Sequence, residues 1–285
     1  MTFGPLVTTE WLQDNLERPS LKIIDGSWRM PGQGDAIENY RAQHIPGAVF
    51  FDIDAIADKT THLPHMLPSA EAFEAAVGAM GIGDANDIVV YDEKGVFSAA
   101  RVWWTFRAMG HENVAVLNGG LPKWLAEKRP MTKEPTPIAP ATYRAMPIPA
   151  LCASHEDVRR VIDDKNAIIV DARPADRFEG RAREPRAGLR SGHMPGAKNI
   201  PYDRVLTENG EMKDPDAIRE IFKGAGADDS MRIVTTCGSG VTAALLSLAL
   251  EVAGLQDYAV YDGSWSEWGD EKHDSAAYPV VIGES

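Results

Sequence analysis

The chain repeats itself once, and this constrains its fold more than any other feature. The first half reads LKIIDGSWR, HIPGAVFFDID, DIVVYDEKGVFSAARVWWTFRAMG and VAVLNGGLPKW. After residue 150 the same order returns as AIIVDARPADRF, HMPGAKNIPYD, RIVTTCGSGVTAALLSLALEVAG and YAVYDGSWSEW. Equivalent residues keep a nearly constant separation: Asp25 to Asp171 is 146, His44 to His193 is 149, Asp92 to Cys237 is 145 and Gly120 to Gly263 is 143. A total of 285 residues suits two ordinary domains with a core each. The expected domains span 1–127 and 151–285. Between them the proline-rich stretch 128–150 reads as a semi-rigid extended linker.

Within each half, short apolar strands alternate with helical patterns. Strands are expected at 23–25, 88–91 and 114–117 and helices at 69–80 and 98–109 in the first half. In the second, a helix over 154–163 opens on a Ser-x-x-Asp cap, a strand covers 167–171, and a helix over 214–222 carries Pro215 in its first turn. This is an α/β pattern with a mainly parallel sheet in each domain. Trp103 and Trp104 fall mid-helix and Trp265 and Trp268 follow the last strand, positions that suit core and interface packing.

Cys237 ends a strand over 233–236 and precedes a long apolar helix over 241–253. Gly238 and Gly240 let the turn close and aim backbone N–H groups inward, as anion-binding helix starts do. A helix N-terminus lowers a thiol's pKa, which makes Cys237 a nucleophile rather than a buried structural cysteine. The first half has Asp92 at this position, so one domain is catalytic and the other supporting. A cysteine phosphatase would need an arginine six residues on, where the chain has Ala243. Cys152 and Cys237 fit no zinc or Cys-x-x-Cys spacing, so neither a structural metal nor a disulfide scaffold is implied. A net charge of −13 argues against nucleic acid or an anionic membrane as partner. The first fifteen residues lack a secretory pattern, and no apolar run reaches membrane-span length, so the expected location is cytoplasmic.

The duplicated domain, the HIPGA and HMPGA turns, FFDID, HMLP, RVWWTFRAMGH, CGSGVT and YDGSW together resemble the two-domain rhodanese-type sulfurtransferases, and among them the branch that uses 3-mercaptopyruvate. The resemblance implies two tandem rhodanese-like domains and no cofactor. It implies sulfur transfer from the donor to Cys237 as a persulfide, then to a thiol acceptor, such as a thioredoxin or a small thiol, or to cyanide. The amides of Gly238, Ser239, Gly240, Val241 and Thr242 would stabilise the persulfide charge. Thiosulfate-specific relatives carry cations where this loop has Gly238 and Ser239. In DRFEGRAREPR the family motif places the substrate arginines at Arg177 and Arg186, whose forks suit a carboxylate, and leaves Arg181, Arg183 and Arg190 as surface charges. It also implies a Ser239, His65 and Asp54 arrangement that protonates the departing enolate, with the site between the domains. The alternatives are a thiosulfate sulfurtransferase and a non-catalytic persulfide relay.

Overall fold

The structure, a computed structural model, describes residues 4–30, 32–228 and 230–284. The outermost ends of the two expected domains, residues 1–3 and 285, lie outside it. The chain forms two compact units: Met1–Lys59, Leu67–Ile148 and Thr207–Met212 in the first, and Thr60–Met66, Pro149–Leu206 and Lys213–Ser285 in the second.

The first unit contains β1 (Leu6–Val7), α1 (Thr9–Asp14), β2 (Leu21–Asp25), α2 (Ala36–Ala42), β3 (Ala48–Phe50), α3 (Ile53–Ile56), α4 (Ala70–Ala79), β4 (Asp87–Tyr91), α5 (Ser98–Ala108), β5 (Val114–Leu117) and α6 (Gly120–Ala126). Its sheet runs β1-β5-β4-β2-β3 with every pairing parallel. One face buries Ile23, Val89, Ala115 and Leu117 with Trp124 of α6, at about 1.5–3 kcal/mol for each large apolar side chain removed from water. The segment 128–148 forms no helix or strand and is hydrogen-bonded onto this unit. Thr132 and His44 exchange N–H···O bonds of 2.9 Å, and Met146 N donates to Met109 O at 2.8 Å. Tyr143 stacks on His111 and its hydroxyl meets Nδ1 at 3.2 Å.

The second unit contains β6 (Cys152–Ala153), α7 (His155–Asp164), β7 (Ala167–Asp171), α8 (Ala175–Phe178), β8 (Lys198–Asn199), α9 (Pro215–Gly224), β9 (Arg232–Thr236), α10 (Val241–Ala253), β10 (Tyr258–Tyr261) and α11 (Ser264–Trp268). The parallel order is β6-β10-β9-β7-β8, the same topology as in the first unit. Local signals set the helix starts. Ser154 and Asp157 form a capping box on α7, and the Asp214 side chain accepts from Ala217 N ahead of Pro215 in α9. The connection β7→β8 leaves toward one edge and β9→β10 toward the other. The carboxyl ends of β7 and β9 therefore flank the switch point, where α/β sheets bind ligands.

The histidines of the two repeated turns are structural. His44 Nδ1 donates to Tyr40 O at 2.8 Å, and the ring stacks on Tyr40. His193 does the same at Phe178 O, 2.9 Å, stacked on Phe178 at 3.8 Å.

Candidate active site

Cys237 leaves the carboxyl end of β9, 2 % exposed, and neither it nor Cys152 is in a disulfide. The loop behind it is anchored through its carbonyls. Cys237 O accepts from Trp265 N and Gly238 O from Ser266 N, both at 2.9 Å, and Ser266 Oγ donates to Gly238 O at 2.7 Å. These bonds satisfy N–H groups at the start of α11 that have no partner within that helix. In a planar trans peptide the N–H points opposite the C=O, so the Gly238 and Ser239 amides face away from α11. Gly240 then caps α10 in the left-handed region, φ 80°, which favours glycine. Ser239 is buried beside the cysteine.

Two guanidiniums converge on this loop. A side chain at Gly238 would begin 3.2 Å from Arg177 Nη2 and 4.0 Å from Arg186 Nη1. Arg177 projects from α8, and its Nε and Nη2 donate to Glu184, Nε at 3.3 Å. Arg186 Nη2 lies 3.3 Å from His65 Nε2. Because a guanidinium only donates, Nε2 is the acceptor in this contact. His65 is 4 % exposed and its backbone has φ 63°, a region few non-glycine residues occupy and one often found at functional sites.

Cys237, Ser239, Arg177, Arg186 and His65 thus all belong to the second unit. Asp54 belongs to the first, at the start of α3, with its Oδ2 accepting from Trp28 Nε1 at 2.9 Å. Three residues that sequence reasoning passed over complete the charge array. Asp171 at the end of β7 holds Arg173 through Nε and Nη2 at 2.9 and 2.7 Å, and Arg173 Nη1 meets Glu184 at 2.8 Å. The available signal was the acid set between arginines in RAREPR and the Asp-x-Arg that follows the strand. Arg190 departs from the surface position expected of it. It is not a surface charge, because its guanidinium donates to Trp268 O at 2.6 Å and Tyr278 O at 2.9 Å, satisfying carbonyls around the end of α11. A cavity of about 880 Å³ in this unit, lined in part by Lys198, Pro201 and Glu220, includes none of residues 237–242. Charge and hydrogen-bond geometry, rather than depth, mark the site. Among the described residues no helix is long and apolar enough to cross a membrane.

The rhodanese-like domain family matches residues 8–127 and again 154–271. The chain is 42 % identical over 273 residues to the 3-mercaptopyruvate sulfurtransferase of Rattus norvegicus, spanning 93 % of this chain and 92 % of that one. It is 43 % identical, with the same coverage, to the thiosulfate sulfurtransferase of the same organism. The crystal structure of SseA from Escherichia coli, described as a 3-mercaptopyruvate sulfotransferase, matches with a TM-score of 0.85 and 38 % identity over 93 % of this chain and all of that one.

Proposed function

The chain belongs to the rhodanese family as a tandem-domain sulfurtransferase, and from that premise we propose that it moves sulfur from 3-mercaptopyruvate through a persulfide on Cys237 to a thiol or cyanide, releasing pyruvate. The carrying observation is the convergence of Arg177 and Arg186 on Gly238, the residue after the nucleophile. Two planar forks are what a 2-oxo acid needs at its carboxylate and carbonyl. Relatives of equal similarity are named for thiosulfate. Gly238 and Ser239 add no cation for a dianionic donor, which favours the 2-oxo acid.

In the proposed reaction the Cys237 thiolate attacks the donor sulfur, an S–S bond forms, and the C–S electron pair leaves as the enolate of pyruvate. The donor's thiol proton passes to the enolate carbon, leaving an anionic persulfide. Amides of residues 238–242 at the start of α10 stabilise that charge. Ser239 and His65 move the proton, and Asp54 supports the same step. The acceptor is a thioredoxin-like or small thiol. A reducing compartment such as the cytoplasm suits two free cysteines.

Intact-mass measurement after mixing with 3-mercaptopyruvate should show one added sulfur atom and stoichiometric pyruvate, and thiosulfate run in parallel should load more slowly. Sulfur retained by a Cys237→Ser protein, or absent from the parent, sinks the reading.

A further inference from the structure

The loop around Cys237 has no basic side chain of its own, so the charge a donor meets there comes from the arginines and from the acids that hold them. Arg177 is not an unopposed cation. Its Nε and Nη2 edge is occupied by Glu184, whose side chain is 1 % exposed while that of Arg177 is 21 % exposed. Glu184 is fixed from behind by Arg173 at 2.8 Å, and Arg173 is itself locked by Asp171, by Gly192 O at 2.8 Å and by the Trp265 ring at 4.1 Å. Among these five groups three guanidiniums, Arg173, Arg177 and Arg186, stand with two carboxylates, Asp171 and Glu184. The remainder is one positive charge.

From this geometry we propose that Glu184 is a positioning residue that sets donor specificity: it fixes the edge that Arg177 presents to Gly238 and cancels one unit of charge, matching the site to a monoanionic 2-oxo acid rather than to a dianion. The inference rests on the donor-site reading given above for Arg177 and Arg186. A charge removed or added in a partly shielded site acts twice as strongly on a dianion as on a monoanion. Burial keeps Glu184 in place, because solvent ions cannot substitute for it behind its arginine.

The test is Glu184→Gln, which keeps shape and drops charge, beside Glu184→Asp, which keeps charge and shortens reach. The ratio of kcat/KM for thiosulfate to that for 3-mercaptopyruvate should rise roughly tenfold in the Gln protein, mainly through KM, and the gain should shrink as salt is added. In the Asp protein the ratio should stay within about twofold of the parent while KM rises for both donors. An unchanged ratio in the Gln protein, or the same shift in both variants, overturns the proposal. If the Gln protein does not fold, a changed ratio in the Asp protein overturns it. Calorimetry with pyruvate and with sulfate on the Cys237→Ser protein, carrying Glu or Gln at 184, separates this idea from the catalytic reading. Gln should tighten sulfate relative to pyruvate, and equal effects on the two overturn the proposal even if the parent loads no sulfur.

Discussion

The turns after β4 and β9 occupy the same place in two copies of one fold, yet they treat an anion differently. In the first unit Asp92 is fully buried and supplies the anion itself: Oδ1 accepts from Lys94 N at 2.7 Å, and Oδ2 from Phe97 N and Ala99 N at 2.7 and 2.8 Å. A carboxylate built into the chain satisfies the amides at the start of α5. Burial raises the Asp92 carboxyl from its ordinary value, and the same backbone donors pull it back down. In the second unit the residue is Cys237, whose side chain brings no carboxylate to the loop. The backs of the turns are alike, since Leu121 N donates to Asp92 O at 2.9 Å as Trp265 N does to Cys237 O. The backbone anchor behind the turn is common to both copies, and the residue it presents differs.

The largest expected effect comes from moving that side chain. Cys237→Ser should lower turnover by about 10⁴-fold or more. Adding Asp92→Cys to it should restore no sulfur uptake, because the first-unit turn has Ser27 where the second has Arg173, and the Arg177 and Arg186 forks belong to the other copy. A persulfide found on residue 92 by peptide mass mapping would break the comparison.

A second contrast lies one strand over. Asp25 and Asp171 end β2 and β7, but Asp171 pairs with Arg173, whereas Asp25 accepts from Ser27 N at 2.9 Å and burial pushes its pKa up to about 6. A carboxyl whose folded value exceeds its unfolded one contributes stability below the unfolded value of 3.8 and loses it as pH rises through about 6. Asp25→Asn should therefore gain about 2–3 kcal/mol relative to the parent between pH 4 and pH 7, read from denaturant unfolding at several pH values. Asp171→Asn should instead destabilise by about 2–3 kcal/mol at pH 7, because the buried Arg173 loses the charge that Asp171 sets against its Nε and Nη2 and keeps only Glu184 and Gly192 O. A relative stability of the Asp25→Asn protein that stays flat between pH 4 and pH 7 would remove the distinction.

The smallest effect sharpens the comparison at the next residue, where Glu93 of the first turn becomes Gly238. A methyl group at 238 sits 3.2 Å from Arg177 Nη2, so the guanidinium must give by a few tenths of an ångström. Gly238→Ala should raise the KM for 3-mercaptopyruvate about threefold with kcat less affected. Steady-state kinetics showing no change in KM would mean that Arg177 does not need its observed place.

Much of this was legible before any coordinates. The repeat, the α/β alternation and the helix starts at Ser154, Asp214 and Gly240 follow from periodicity and capping, which act within a few residues. A β-branched run, two glycines and an apolar helical stretch, adjacent in the chain, put Cys237 in a strand-to-helix turn. The family resemblance added Arg177, Arg186 and His65, and the 3.3 Å contact between His65 and Arg186 joins two of them across 121 residues.

Local pattern and recognisable motifs are enough to specify the two folds, the cysteine loop after β9 and the arginines that could approach it. Which arginines do approach it depends on packing. Arg173 turned inward to Asp171 and Glu184, Arg177 took the other edge of Glu184, and Arg190 went to the carbonyls of Trp268 and Tyr278. Arginines spaced a few residues apart in one loop look equivalent as letters. They become different once folding decides which are buried, because a buried guanidinium must find its partners among whichever carboxylates and carbonyls the packed strands bring near.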